Sequence, residues 1–168
     1  MGHKRRILVA LDGIEASPKT VAYVAEMTKD VPDIEIRLFH LIARIPAEMR
    51  EHGGSEDPAK EEQLGQELRE AQSRWIEDQQ KKCGPILDQV HSSLVECGVS
   101  PQSISADSCA CVQEATLDQY LLEAAHEWNA GTLVVGWDSF SWFEELFKTH
   151  IAEKLICKGE GLALWIIR

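Results

Sequence analysis

The sequence predicts an α/β fold, a doubly wound, five-stranded and mainly parallel sheet with helices on both faces. Three observations point there. Ile7-Leu8-Val9-Ala10-Leu11 is a continuous apolar run between Arg6 and Asp12, the pattern of a strand covered on both sides. A comparable run, Leu133-Val134-Val135, stops at Gly136 late in the chain. Between and around them, strand-like and helix-like stretches alternate at the spacing of right-handed βαβ crossovers.

Each element has its own signal. After the first strand, Ser17-Pro18 supplies an N-cap and a first-turn proline. Val21, Val24, Ala25 and Thr28 then recur at helical spacing until Asp30-Val31-Pro32-Asp33. Ile34 to Ile42 forms a second strand, expected to end near His40. From Pro46 to Pro58 the chain is polar and carries Gly53-Gly54, so a mobile loop is expected at about 46–58. Residues 60–97 hold Leu64, Leu68, Ala71, Trp75, Ile86, Leu87, Val90 and Leu94 in a long amphipathic helix. Gly84-Pro85 is expected to kink it or split it into two, because proline removes a helical hydrogen bond. Its charged faces read as solvated surface, or as a partner surface in the projecting first half. Gly98 closes this element, and Ser103 to Asp107 is a weak strand of small residues.

Val112, Ala115, Tyr120, Leu121, Ala124, Ala125 and Trp128 stripe the next helix, closed by Asn129-Ala130-Gly131. After the Leu133-Val134-Val135 strand, Phe143, Leu146, Phe147, Ile151 and Leu155 stripe a last helix. Leu162 to Ile167 is the closing strand.

The 168 residues, 44% of them hydrophobic, suit one domain over 1–168 with one substantial core. A net charge of −11 disfavours sequence-independent nucleic-acid binding, which needs Lys and Arg against phosphates. Five cysteines are an odd number, and Cys109-Ala-Cys111 is too tight for an easy disulfide, which points to a reducing cytoplasm. The apolar run after the basic start ends at Asp12, too short for a signal peptide, and no stretch is long enough to cross a bilayer.

Open sheets of this kind bind ligands beyond the carboxyl ends of their strands, where strand order reverses. That edge should gather Asp12-Gly13, His40 to Ile42, Cys109 to Cys111 and Trp137 to Ser139. Cys109, Cys111 and His40 together raise a thiol or metal sensor, because thiolates and imidazole suit zinc or copper. C-x-C alone supplies two ligands, however, and buried small hydrophobes are the simpler reading. Cys83, Cys97 and Cys157 are expected to face the core.

Four segments, in order, resemble the universal stress protein family. Ile7 to Gly13 is similar to its opening strand and V-D-G turn, and Phe39-His40-Leu41-Ile42 to its L-H-V-[VI] strand. Thr132 to Gly136 is similar to its D-L-[IV]-V-[ML]-G strand, and Ile151-Ala152-Glu153-Lys154-Leu155 to its last helix. Gly159-Glu160-Gly161 stands where the family has P-C-P. The resemblance implies a cytoplasmic stress-response protein that pairs as a homodimer through Leu162 to Ile167. An apolar terminal strand at a sheet edge invites such pairing, with Trp165 as an outward anchor. It also implies an ATP site in which the first turn holds adenine and ribose, the second strand lines the base and a G-x-x-G-x9-G-[ST] loop holds phosphates.

Asp12, Leu41 and Gly136 match that site by position. Ser139 and Thr149 stand where the loop has glycine, His150 stands where it has a hydroxyl residue, and Ile14 replaces the serine of D-G-S. Glycines there let the backbone take φ > 0 and bring N–H groups close to phosphate oxygens. His150, at a helix start, could still meet an anion. Trp137, Phe140, Trp142 and Phe143 crowd the same stretch and are expected to fill the triphosphate space. The expectation is therefore a non-catalytic protein without a cofactor, with altered ATP binding and slow hydrolysis as the alternative.

Overall fold

The computed structural model describes residues 5–11, 18–42, 45–51, 53–110, 116–137 and 151–168. Five strands make one sheet: β1 Arg5–Leu11, β2 Ile34–Ile42, β3 Ile104–Ala110, β4 Thr132–Gly136 and β5 Ala163–Ile167. Their order is β3-β2-β1-β4-β5, and every neighbouring pair is parallel. The chain first builds outward from β1 through β2 to β3, then returns to the other side of β1. The reversal lies between β1 and β4.

Four helices among the described residues cover the sheet: α1 Pro18–Thr28, α2 Pro58–Glu96, α3 Leu117–Glu127 and α4 Ile151–Lys158. Because side chains alternate along a strand, each inner strand feeds two cores. Ile7, Val9 and Leu11 of β1 pack with Val21, Val24 and Ala25 of α1 and Val90 and Leu94 of α2. Leu8 and Ala10 pack with Leu121 and Ala125 of α3 and Ile151 and Leu155 of α4. The unbroken apolar run of β1 follows from this double coverage.

Local chemistry sets the boundaries. Asp57 caps α2 by accepting from the Ala59 N–H at 3.0 Å, and Pro58 sits in the first turn, where its missing N–H costs nothing. Gly98, just past the α2 C-cap, has φ +99°, a conformation that disfavours any residue with a Cβ. Gly161, in the turn into β5, has φ +79° for the same reason. Gln119 accepts from the Thr116 N–H at 2.8 Å and fixes the start of α3.

Several expectations need correction. α2 is one uninterrupted helix of 39 residues that passes through Gly84 and Pro85. Pro85 is exposed, so the carbonyl it leaves without a helical partner can be met by water. The stretch before α2 contains a 3-10 turn, Ala47–Met49, whose Met49 carbonyl accepts from Gln72 of α2 at 2.7 Å. β2 runs to Ile42, past His40, and β3 runs from Ile104 to Ala110, after a 3-10 turn at Pro101–Ser103. Of the three cysteines expected inside, Cys83 is buried, but Cys97 and Cys157 are exposed. Cys97 follows the last turn of α2, beyond the buried Leu94, and Cys157 follows Leu155 on α4 and turns away from it.

Candidate functional site

The carboxyl ends of β1 and β4, on either side of the order reversal, are where a ligand crevice belongs in this topology. The register Val9↔Val134, continued by two residues, brings Leu11 level with Gly136. Leu11 is also level with His40 of β2. The last described residue before the first turn, the end of the second strand and the first glycine of the phosphate-type loop thus form one shelf. Asp12, Ile14, Ser139, Phe140, Trp142, Phe143, Thr149 and His150 lie outside the described residues.

Leu41 is fully buried and belongs to the core beneath α3 and α4. It is one strand removed from Gly136, since β1 stands between β2 and β4. Gly136 pairs with Ile167 of β5. The next residue, Trp137, donates its backbone N–H to the Ile167 carbonyl at 2.6 Å. Its indole meets the Arg168 guanidinium 5.6 Å from the ring centroid. The first aromatic of the loop is therefore engaged by the end of β5, an attachment that its position in the sequence does not reveal.

The thiol and imidazole groups separate. His40 is 1% exposed and shares strand parity with Ile36 and Leu38, which pack beneath α1 and α2. Cys109 packs against the opposite core, with Phe39 and Leu41. The sheet thus stands between His40 and Cys109, although both occupy its carboxyl half. Burial pushes the Cys109 thiol up, and Asp107, Glu123 and Glu127 add to this, the reverse of what a reactive thiolate needs. Cys111 lies outside the described residues. Among the described residues, no group of three His, Cys, Asp or Glu side chains could hold a metal ion.

Sequence reasoning missed an ion pair between a buried aspartate and a half-exposed lysine on the two helices of the second core. Asp118, 1% exposed in the first turn of α3, accepts from Lys158 of α4 at 2.7 Å. Burial would raise its carboxyl. Hydrogen bonds from Lys158 and Thr116, with the Lys158 charge, outweigh that and hold it below the usual aspartate range. An aspartate in a first helical turn usually reads as a solvated residue favourable to the helix dipole, so nothing local signals its burial.

At the amino end of the sheet, Arg6 pairs with Glu35 at 2.7 Å and donates to the Trp128 carbonyl at 2.9 Å. The guanidinium groups of Arg6 and Arg37 lie 5.6 and 4.6 Å from the Trp128 ring centroid. A cleft of about 700 Å³ opens nearby, between Met27, Asp33, Asn129 and Trp165. This cleft is at the opposite end of the strands from the shelf and contains none of the expected nucleotide-site residues. Trp165, expected to face outward, instead meets Tyr23 of α1 edge-on, with ring centroids 5.7 Å apart.

No helix among the described residues is long and apolar enough to cross a membrane. Among curated proteins, none matches this sequence. Solved structures do match. A universal stress protein family member from Burkholderia pseudomallei is 19% identical with a TM-score of 0.55, covering 98% of this chain and 96% of its own. A universal stress protein solved in complex with cAMP is 13% identical with a TM-score of 0.59, covering 99% and 98%. One from Archaeoglobus fulgidus is 16% identical with a TM-score of 0.51, covering 98% and 93%. At these identities the likeness concerns the fold. The sequence model of the Universal stress protein family matches residues 4–104, more than half of the chain and inclusive of β1, α1, β2 and α2. The chain belongs to the universal stress protein family.

Proposed function

We propose that this protein is a non-catalytic, cytoplasmic stress-response regulator that acts as a homodimer and does not grip ATP in the way the family's glycine loop does. The observation that carries this reading is the replacement of that loop's residues by Ser139, Thr149 and His150 behind a retained Gly136. A β-branched residue is poorly suited to φ > 0, and a Cβ stands between backbone amides and phosphate oxygens. The dimer reading draws on β5, an edge strand whose Leu164 to Ile167 remain partly exposed. Antiparallel pairing of two such edges about a twofold axis would close the sheet ends against further addition.

A second reading keeps the base end of the site and gives up the triphosphate end. It is favoured by the solved relative that holds cAMP, a nucleotide with a single phosphate, and by the match of Asp12 to the family's adenine-binding turn. Thermal melts with Mg-ATP and with cAMP separate the readings. A ligand at a hundredfold above its Kd would add about 2.7 kcal/mol of stability. The first reading expects no shift with either nucleotide at millimolar concentration. A cAMP shift alone supports the second, and a Mg-ATP shift abolished in an Asp12→Ala variant overturns the first.

A further inference from the structure

We infer that the first half of α2 is a self-complementary arm that pairs antiparallel with the same arm of a second copy, through a surface separate from β5. A helix of 39 residues is about 58 Å long, roughly twice the span of the nine-residue β2. Among the described residues, only its later part enters a core. Its buried residues are Cys83, Val90 and Leu94, and Val90 and Leu94 belong to the core beneath α1 and α2.

The earlier part carries a different stripe. Leu64, Leu68, Ala71 and Trp75 follow one another at spacings of four, three and four residues. All four are half-buried, and among the described residues none belongs to either core. At about 100° per residue they centre roughly a quarter turn around the helix from Cys83, Val90 and Leu94. The stripe therefore does not continue the face that docks on the sheet. Gln72, five whole turns before Val90, lies on the docking face, and its bond to the Met49 carbonyl holds the arm to the body from that side.

Apolar residues at this four-three spacing form the seam of a two-helix pair. Set antiparallel about a twofold axis near residues 69 and 70, Leu64 faces Trp75 of the second copy and Leu68 faces Ala71. Each of these layers occurs twice. The same symmetry brings Glu67, exposed beside the seam, toward Arg74 of the second copy, also exposed, and again twice. This charge match selects a second copy as the occupant, since each half of the arm supplies the complement of the other.

The test is sedimentation velocity on the full chain, with hydrogen exchange on the same samples. Glu67→Arg and Arg74→Glu should each weaken arm-mediated association about tenfold, because both symmetric pairs become repulsive. The double variant Glu67→Arg/Arg74→Glu should restore it. Leu68→Asp should abolish it with the helical circular dichroism retained. In the wild type, amide protection over 61–79 should rise with protein concentration, and protection over 163–167 reports β5 pairing separately. Single reversals that match the wild type overturn the inference. So does a loss that the double variant fails to rescue, or protection over 61–79 that does not depend on concentration.

Discussion

The two edges of the sheet are opposites. β3 presents Ser105, Ala106 and Asp107, all exposed, and the half-buried Ser108, with Asp107 beside Arg37 at 3.7 Å. β5 presents Leu164, Trp165, Ile166 and Ile167, all partly exposed. Tyr23 and Met27 lie beside it on α1, 42% and 45% exposed, and Ile156 on α4 is 63% exposed. Small polar residues and a charge blunt an edge against pairing, whereas an apolar edge with apolar flanks favours it. The lesson is that the two ends of one sheet, equal in backbone chemistry, are told apart by their side chains. The dimer we propose uses the end that lacks any such protection.

That comparison can be broken. The largest effect is expected from Ile166→Lys in a Leu68→Asp background, where the arm contact is already removed, which should leave a protein of one 18.8 kDa copy by sedimentation. Ala106→Lys, the matching change on β3, should leave the mass unaltered. Equal behaviour of the two variants would mean that the edges are not different in the way described.

A smaller effect concerns α4, the helix that leans on β5. Lys158→Ala strands the Asp118 carboxylate and should cost about 2 kcal/mol in denaturant unfolding. Because the folded Asp118 carboxyl is held below the usual aspartate range, the pair's contribution is fully present above that range. It fades as the pH falls through the lower folded pKa. Asp118→Asn should therefore flatten this part of the acid limb, and an unchanged acid limb would count against the pair. Gly161→Ala, at φ +79° in the turn into β5, should cost about 1 kcal/mol. Smallest of all, Cys109→Ser should leave oxidant response and metal content unaltered, since burial raises that thiol and His40 lies across the sheet. Loss of metal in that variant would revive a sensor role.

Much of the fold was legible because its signals are local. The apolar runs of β1 and β4, the Ser17-Pro18 start and the Val21, Val24, Ala25 stripe of α1 name their own elements, and strand alternation with helices names the topology. What was not legible depends on partners distant in sequence. Pro85 reads as a breaker until its solvent exposure lets water meet the carbonyl left without a helical partner. His40 and Cys109 read as neighbours until the register Leu41↔Cys109 sets them on opposite faces. Asp118 reads as a helix-start carboxylate until Lys158, forty residues later, covers it. Of the site, Leu41 and Gly136 were placed at the carboxyl edge from motif order alone. That Leu41 belongs wholly to the core, and that Trp137 is engaged by Arg168, required the tertiary structure.

The exposed Pro85 divides α2 into segments of unequal fate. Downstream of it, Val90 and Leu94 cannot leave without opening the core, so that segment should melt with the whole molecule. Upstream, the helix is held by the Cys83 contact, the Gln72 tether and its own ladder, which already lacks a rung. Fraying should therefore begin at Pro58 and halt near Pro85, as a local cooperative unit that opens well below the global transition. A protease admitted at low concentration would then trim the arm while the sheet stayed intact.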